Sequence, residues 1–535
     1  MTHGMVCAPQ PEAVEAGAMA LKQGGNAVDA AIACALVQTA VDPQMCGIAG
    51  FGSMQLYLAQ QNQHYCIDFH GRAPVATRAD MWEDIIIGET EDGFGFILEG
   101  GVNELGYQSI TTPSSIKAFA EAIQTHGTLS LDELLQPAIA YCEDGFAVRA
   151  PVAGYWNLVE SAGRVAPIER LRRIPATARI YTKADGSIYR AGEILRNPDM
   201  GRTYRRIVDQ GVTDFYEGAI ASEIVSDMKL HGALLGKRDL LQYKTENCAP
   251  LSGRYHEYEI ATNQLPGGGA MVLEMLNILS HFDLKAMGHN SVEYISTIAE
   301  AMKIATVDKD RHMGDPRFVE VPLDRLLSDE YAATMAATIK RGEKTRVPRL
   351  NRGANSQDTT HVCAVDEYGN CVAMTHSLGT PSGVVTQGLG FMYNGCMNVF
   401  DPRPGRVDSL APGKSRFTAM SPTIVLKDNQ PFLIIGAPGG TYITMGVLQG
   451  ILNVLVFGMN AQEAVSAPRF CATSDVIEIT NRIPRFTEEQ LQRLGYVTRR
   501  SHLSYHFAGV HAIRLTEDGW DGGADPGRDG MAMEI

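Results

Sequence analysis

Residues 357–377 read QDTTHVCAVDEYGNCVAMTHS. Side chains on a strand alternate between two faces, so THVCAVD and CVAMTHS on either side of the EYGN turn predict a β-hairpin. The preceding stretch, NRGANSQD at 351–358, is polar and reads as a loop. Where loop meets strand stand Asp358, Thr359, Thr360 and His361. An internal threonine is a weak nucleophile because its hydroxyl is barely ionised. Were the bond before Thr359 cut, the residue would gain a free α-amine beside its own hydroxyl. That amine could act as general base, directly or through a water, and would need no separate histidine. Against this, a Thr–Thr pair ahead of a strand is commonly structural, and spacing alone does not choose.

C-terminal to the hairpin, TIVLKD and PFLIIGAPGG flank Asp428-Asn429 and predict a second hairpin that ends in glycines. Tyr442–Phe457 and the segment after Asn460 read as helix, and HAIRL at 511–515 as strand. N-terminal to it, Pro11–Leu36 reads as helix interrupted at Gly24-Gly25. MCGIAGFGSMQLYLAQ turns to strand after its glycines, and HYCIDF forms a second strand. Residues 112–150 mix helix and loop; Arg202–Ile220, Met271–Leu279 and Ser291–Val307 read as further helices. There is no internal repeat. Strands amid helices predict a mixed sandwich whose topology periodicity cannot supply.

At 535 residues and 58.1 kDa the chain exceeds one small module, and its length suits two lobes or one elaborated enzyme domain. A hydrophobic share of 45% and a charged share of 20% are those of a folded protein. The 54 glycines and 25 prolines point to many tight turns, since no three-residue period accompanies them. A net charge of -15 without a basic stripe argues against nucleic-acid and anionic-membrane partners. The ten cysteines form no CxxC pair and mostly sit in apolar runs, which predicts free buried thiols and a reduced, cytoplasmic setting. MTHGMVCAPQPEAVEAG lacks the cationic-then-apolar order of a secretory signal, and apolar Ala30–Val41 is too short to span a membrane.

Other chemistry finds little support. The 14 histidines make no HExxH or C2H2 pattern; His502 and His506, four apart, read as loop histidines without a third ligand. PGGGA at 266–270 and APGG at 437–440 lack nucleotide-loop spacing, and no GxSxG elbow is present.

Further motifs span nearly the whole chain: EAGAMALKQGGNAVDAAIACAL (15–36), DFHGRAP (68–74), GHNSVEYISTIAEAMKIATVDKDRHMGDP (288–316), QDTTH (357–361), MSPTIV (420–425), GAPGG (436–440), SAPRF (466–470) and GGADPGRDG (522–530). Together these resemble the gamma-glutamyltransferase (glutathione hydrolase) family of N-terminal-nucleophile hydrolases. The resemblance implies an α+β fold, a four-layer αββα sandwich. It implies self-cleavage between Asp358 and Thr359 into fragments 1–358 and 359–535, about 39 and 19 kDa, intertwined in one fold. The fragments would act as one heterodimer or as a pair of them. Thr359 would attack an amide carbonyl, and water or an amine acceptor would release the acyl group. Gly439 and Gly440 would supply oxyanion N–H groups. Ser377 falls where the family carries a threonine bonded to the nucleophile, and Thr360 would position the nucleophile or simply pack. No cofactor or metal is implied.

The departures concern the grip on a glutamate. His70 replaces the family's arginine, with Arg72 two residues on; Gly379 replaces an asparagine. Cys396 and Val399 replace a glutamine and an aspartate, with Asp401 nearby, and Thr418 and Ala419 replace paired serines. Losing a carboxylate that neutralises a buried ammonium costs several kcal/mol. Arg72 and Arg416 could instead receive a substrate carboxylate, or form structural ion pairs. The expected activity is thus an amidohydrolase for a small carboxylated or N-acyl amide, as in the oxamate amidohydrolase and cephalosporin or glutaryl acylase branches. The alternatives are a gamma-glutamyl enzyme with a rebuilt clamp and a catalytically silent scaffold.

Overall fold

The computed structural model describes residues 4–90, 93, 95–159, 163–348 and 359–535. The hairpin expected around EYGN forms: Thr360–Asp366 pairs antiparallel with Cys371–Ser377, with His361 opposite Thr375 and Val365 opposite Cys371. It lies at the centre of a seven-stranded sheet. The order is Met531–Glu534, Gly4–Ala8, Thr360–Asp366, Cys371–Ser377, Phe51–Leu58, Gln63–Phe69 and Glu246–Cys248, all neighbours antiparallel. Alternation along the hairpin puts Val362, Ala364, Val372 and Met374 in one core and Cys363, Val365, Cys371 and Ala373 in another. Both faces of the hairpin are therefore buried.

The second predicted hairpin, Thr423–Lys427 with Gln430–Gly436, turns through Asp428 and Asn429 at φ 50° and 60°. Aspartate and asparagine tolerate that left-handed geometry, which matches the twist of the paired strands. It belongs to a six-stranded antiparallel sheet ordered Gly519–Ala524, His511–Thr516, Gln430–Gly436, Thr423–Lys427, Tyr258–Thr262, Leu251–Tyr255. Ile424, Leu426, Ile434 and Ile513 of this sheet meet Cys7, Cys363, Val365 and Ala373 of the first. Outside the first sheet lie helices Pro11–Lys22, Ala27–Val41, Ser115–His126 and Leu131–Asp144; outside the second lie Gly269–Leu279, Val292–His312 and Ile443–Leu455. Both sheets contain strands from before residue 349 and after residue 358, interleaved in the seven-stranded sheet and side by side in the six-stranded one.

The predicted break at Gly24-Gly25 separates two helices. Asn26 caps the second: its side chain accepts the Val28 and Asp29 N–H groups, and Asp29 accepts the Asn26 N–H at 2.8 Å. That helix is buried all round, as its nearly unbroken apolar sequence requires. Gly17 lets the two helices touch, since a Cβ there would stand 2.7 Å from the Ala30 carbonyl oxygen.

Arg202–Ile220 is not one helix. It divides into Pro198–Gln210, Thr213–Tyr216 and the start of Ala219–Leu230. Gly211, at φ 78°, ends the first piece, and Asp214 accepts the Ala219 N–H at 2.5 Å to start the last. The loop expected at 351–358 lies outside the described residues. All ten cysteines are free, nine of them buried. Among the described residues no helix is long and apolar enough to cross a membrane, and no group of three or more His, Cys, Asp or Glu could hold a metal.

Candidate active site

Thr359 immediately precedes the central strand. Because Thr360 pairs with His376, the next step along the ladder brings Thr359 beside Ser377, the last residue of the neighbouring strand. Thr359 Oγ1 donates to Ser377 Oγ at 3.0 Å, and the Gly379 N–H donates to the same oxygen at 2.8 Å. Thr359 is 5% exposed and has φ 107°. A β-branched residue is sterically opposed to positive φ, at a cost of about 1–3 kcal/mol.

Below the hairpin runs a buried polar network. Gln38 donates to Thr360 Oγ1 at 2.9 Å and to Gln10 Oε1 at 3.0 Å, while Gln10 donates to Asp42 at 2.5 Å. His376 Nε2 meets Gln38 Oε1 at 2.9 Å; burial pushes this imidazole down to about 3, so it stays neutral and donates. His361 is likewise held neutral by burial, against Thr375 at 2.8 Å. Neither histidine bonds to Thr359 among the described residues.

Thr359 stands between two cavities. The larger, about 310 Å³, is lined by Gln10, Asp42, Arg149, Tyr442, His506 and Gly439 among others. The smaller, about 20 Å³, lies among Phe51, Arg164, Gly379, Val399, Arg416, Thr418 and Gly440. Gly439 and Gly440 join strand Gln430–Gly436 to helix Ile443–Leu455 through one tight turn, at φ 139° and 56°. A Cβ on Gly439 would stand 2.7 Å from Ala508 Cα, so both conformation and space demand glycine. The start of a helix presents N–H groups that its own turns cannot satisfy, a suitable arrangement for a developing anion.

Arg416 lies over the Phe51 ring, 4.8 Å from its centroid, and donates to the Phe417 carbonyl at 2.9 Å. Gly379 leaves it room: a Cβ there would be 2.9 Å from Cys396 Sγ and 3.1 Å from Arg416 Nη2. The lining of the small cavity holds two guanidinium groups, Arg164 and Arg416, and no acidic side chain among the described residues. Asp401 pairs with Arg403 at 2.7 Å instead. Behind the wall, the Phe417 N–H donates to Asp408 at 3.2 Å; burial, opposed by Lys414 and Arg416, pushes this carboxyl up to about 7.

Residues 13–535 match the family model for gamma-glutamyltranspeptidase. The chain belongs to the gamma-glutamyltranspeptidase family. It is 34% identical over 523 residues to the acylase ACY 1 proenzyme of Pseudomonas sp. strain SE83, covering 97% of this chain and 91% of that one. It is 32% identical over 491 residues to the glutathione hydrolase proenzyme of Escherichia coli K12, covering 88% and 80%. The crystal structure of cephalosporin acylase from Bacillus halodurans superposes with a TM-score of 0.87 at 28% identity, over 99% of this chain and 96% of that one. As a gamma-glutamyltranspeptidase-family protein the chain is an enzyme of the hydrolase and acyltransferase class with the N-terminal-nucleophile type of mechanism.

In this gamma-glutamyltranspeptidase relative, distant motifs meet physically. Arg469 of SAPRF and Asp525 of GGADPGRDG form a buried ion pair, and Arg469 also donates to the Ala508 carbonyl at 2.9 Å. The Gly509 N–H bonds to Pro438 O at 2.9 Å, so the pair braces the Gly439 turn. Asp315 of the GDP motif accepts the Ser415 N–H at 2.8 Å and steadies the segment that carries Arg416. Although burial acts upward on it, Arg317 and this N–H hold the Asp315 carboxyl below its usual range.

Of the residues singled out in the sequence, Thr359, Ser377, Gly379, Thr418, Gly439 and Gly440 come together, with Cys396 one layer behind Gly379. Ala419 lines neither cavity; its carbonyl packs against Gly268. His70 and Arg72 line neither cavity and share a separate polar pocket with Asp315 and Arg317. His70 meets Asp68 at 2.7 Å and Arg72 meets Glu246 at 2.6 Å. Asp358, and with it the bond to Thr359, lies outside the described residues. His502 is exposed, while burial pushes half-buried His506 down to about 4. Phe51 and Arg164 were not anticipated: Phe51 opens an ordinary strand, and Arg164 lies in a loop without periodicity.

Proposed function

We propose that this chain is a self-processing amidohydrolase whose nucleophile is Thr359 and whose substrates carry a short carboxylated acyl group. One observation carries the proposal: buried, strained Thr359, its hydroxyl bonded to Ser377, stands between two cavities beside the Gly439-Gly440 turn. A φ angle exists only while the preceding peptide bond is intact. Cutting between Asp358 and Thr359 therefore removes the strain and creates the α-amine. That amine takes the Thr359 hydroxyl proton as Oγ1 attacks the amide carbon. The Gly439 and Gly440 N–H groups receive the developing oxyanion. Proton return to the leaving nitrogen breaks the C–N bond and leaves an ester on Thr359. Water, activated by the same amine, hydrolyses that ester; an amine acceptor would take the acyl group instead.

After the cut, fragments 1–358 and 359–535 would remain associated, because each sheet draws strands from both. The back-to-back sheets between outer helices support an αββα sandwich. The guanidinium groups of Arg164 and Arg416 in the cavity wall favour a substrate carboxylate over an α-ammonium. The cavity has room for little more than a water-sized group, so only the carboxylate tip of an oxamyl or glutaryl end would enter it. The likeness to proteins named acylase ACY 1 and cephalosporin acylase supports this reading.

Intact-mass analysis tests it. The purified chain should resolve into fragments of about 39 and 19 kDa, the smaller beginning at Thr359, while Thr359→Ala should stay at 58.1 kDa and be inactive. Oxamyl and glutaryl anilides should be cleaved in preference to the gamma-glutamyl anilide. Processing in Thr359→Ala, or a wild-type chain that stays whole and inactive, would overturn the proposal and favour a silent scaffold.

A further inference from the structure

Away from the Thr359 site, two thiols face each other at the rim of the seven-stranded sheet. Glu246–Cys248 is the edge strand, and its register on Gln63–Phe69 sets Cys248 directly opposite Cys66. Directly opposed residues of an antiparallel pair have Cα atoms about 4.5 or 5.5 Å apart. Both spacings fall within the range of about 4.4–6.8 Å that a disulfide bridges. The Cys248 thiol points at the Cys66 carbonyl, 3.6 Å away, so the two side chains lie on one side of the ladder. The neighbouring Cys66 thiol lowers the Cys248 pKa, while Cys248 and burial raise that of Cys66. Cys66 is buried, whereas Cys248 is partly exposed, with exposed Glu246, Asn247 and Ala249 as neighbours.

The same sheet contains a natural contrast. Cys7 and Cys363 are also directly opposed, on two interior strands. Both are 0% exposed, and their thiols donate to other groups, Cys7 to the Gly523 carbonyl at 3.0 Å and Cys363 to the Ile434 carbonyl at 3.6 Å. Equal register with unequal access separates a reactive pair from an inert one.

We infer that Cys66 and Cys248 form a redox-modification site, in which a hydroperoxide oxidises exposed Cys248 and buried Cys66 resolves it to a cross-strand disulfide. The Cys248 thiolate attacks one peroxide oxygen, the O–O bond breaks, and the departing oxygen takes a proton to leave as water or alcohol. Cys248 is then a sulfenic acid. The Cys66 sulfur attacks the Cys248 sulfur, the S–O bond breaks, and the hydroxyl leaves with the Cys66 proton as water. With hydrogen peroxide, two thiols and one peroxide yield one disulfide and two waters. The link ties the edge strand to its neighbour two residues from Glu246, which holds Arg72 at 2.6 Å and Arg317 at 3.1 Å.

The test uses the whole purified protein, freed of reductant and treated with a small excess of hydrogen peroxide. It is then alkylated and peptide-mapped with and without reduction. The expected product is one linked peptide pair joining Cys66 to Cys248, lighter by two hydrogens and restored by dithiothreitol. Cys66→Ser should stop the reaction at a Cys248 sulfenic acid that a dimedone probe traps, and Cys248→Ser should leave Cys66 reduced. Full alkylation of Cys248 after peroxide would overturn the inference. So would oxidation of Cys7 and Cys363 ahead of this pair, or loss of the Cys66 thiol in Cys248→Ser.

Discussion

Ser377→Ala is the sharpest probe of how the nucleophile is held. The Ser377 oxygen is fully buried and accepts two donors, the Thr359 hydroxyl at 3.0 Å and the Gly379 N–H at 2.8 Å. Alanine removes the acceptor and admits no water in its place. Stranding the buried Gly379 N–H should cost about 1–3 kcal/mol of stability. The effect on rate has another origin. Without its partner the Thr359 side chain can rotate, and a misplacement of about 1 Å is enough to cost about 100-fold in the chemical step. Ser377 lines neither cavity among the described residues, so substrate binding should survive. The expected pattern is a kcat on a glutaryl anilide reduced about 10- to 100-fold, an unchanged KM, and slower conversion of the 58.1 kDa chain by time-resolved mass. A urea titration reads the stability loss separately. Wild-type kcat and processing rate in Ser377→Ala would refute the reasoning, because the bond to Thr359 would then position nothing that matters.

Three further outcomes are expected. Gly439→Ala puts a Cβ 2.7 Å from Ala508 Cα at φ 139°, so the turn must move; kcat should fall about 100- to 1,000-fold, as for loss of one oxyanion donor, in steady-state assays. Val399→Asp adds a carboxylate to the wall that holds Arg416 and should shift the ratio of kcat/KM from glutaryl toward gamma-glutamyl anilide by about tenfold, equivalent to about 1.4 kcal/mol; an unchanged ratio counts against the cavity as acyl site. Burial pushes His376 down to about 3 and His511 down to about 4, from an ordinary value of 6.5. The unfolded chain therefore takes up protons that the folded state refuses. Stability is full above pH 6.5 and is lost as pH falls from there toward 4, so urea midpoints should decline over that window and His376→Gln should flatten the decline.

Local patterns announced much of this fold because each has a short-range cause. The period of two in THVCAVD and CVAMTHS, closed by EYGN, was sufficient for the central hairpin, and Asp428-Asn429 for the second. The resemblance had placed a hydroxyl at Ser377 beside the nucleophile, and the ladder register is what carries Thr359 to it. Failures came where the cause was tertiary. Gly211 and Gly218 break a polar amphipathic run whose periodicity continues through them. His70 and Arg72 followed the motif yet lie apart from both cavities, His70 against Asp68 two residues earlier and Arg72 against Glu246 of the edge strand. Arg164 reaches the small cavity from a loop that no periodic pattern describes.

Two effects compete to set selectivity in the small cavity, and their sizes decide between them. Cys396 and Val399 make its surroundings less polar, and a methylene more or less against an apolar wall is worth about 1–3 kcal/mol. Charge acts more strongly. A unit charge about 4 Å from a guanidinium, at the effective dielectric of a protein surface, interacts by about 4 kcal/mol, unfavourably for an ammonium and favourably for a carboxylate. Arg164 and Arg416 both line the wall, so their charges act together on a group that enters the cavity. Asp408 tempers Arg416 from behind, but burial pushes its carboxyl up to about 7, so this moderation weakens as pH falls through neutrality. Substrate charge should thus outweigh acyl length: replacing the terminal carboxylate by an amide should cost more than removing one methylene. Its effect should also grow on the acid side of pH 7, as Asp408 takes up its proton. Equal losses for the two changes would mean that shape, not the pair of arginines, selects the acyl group.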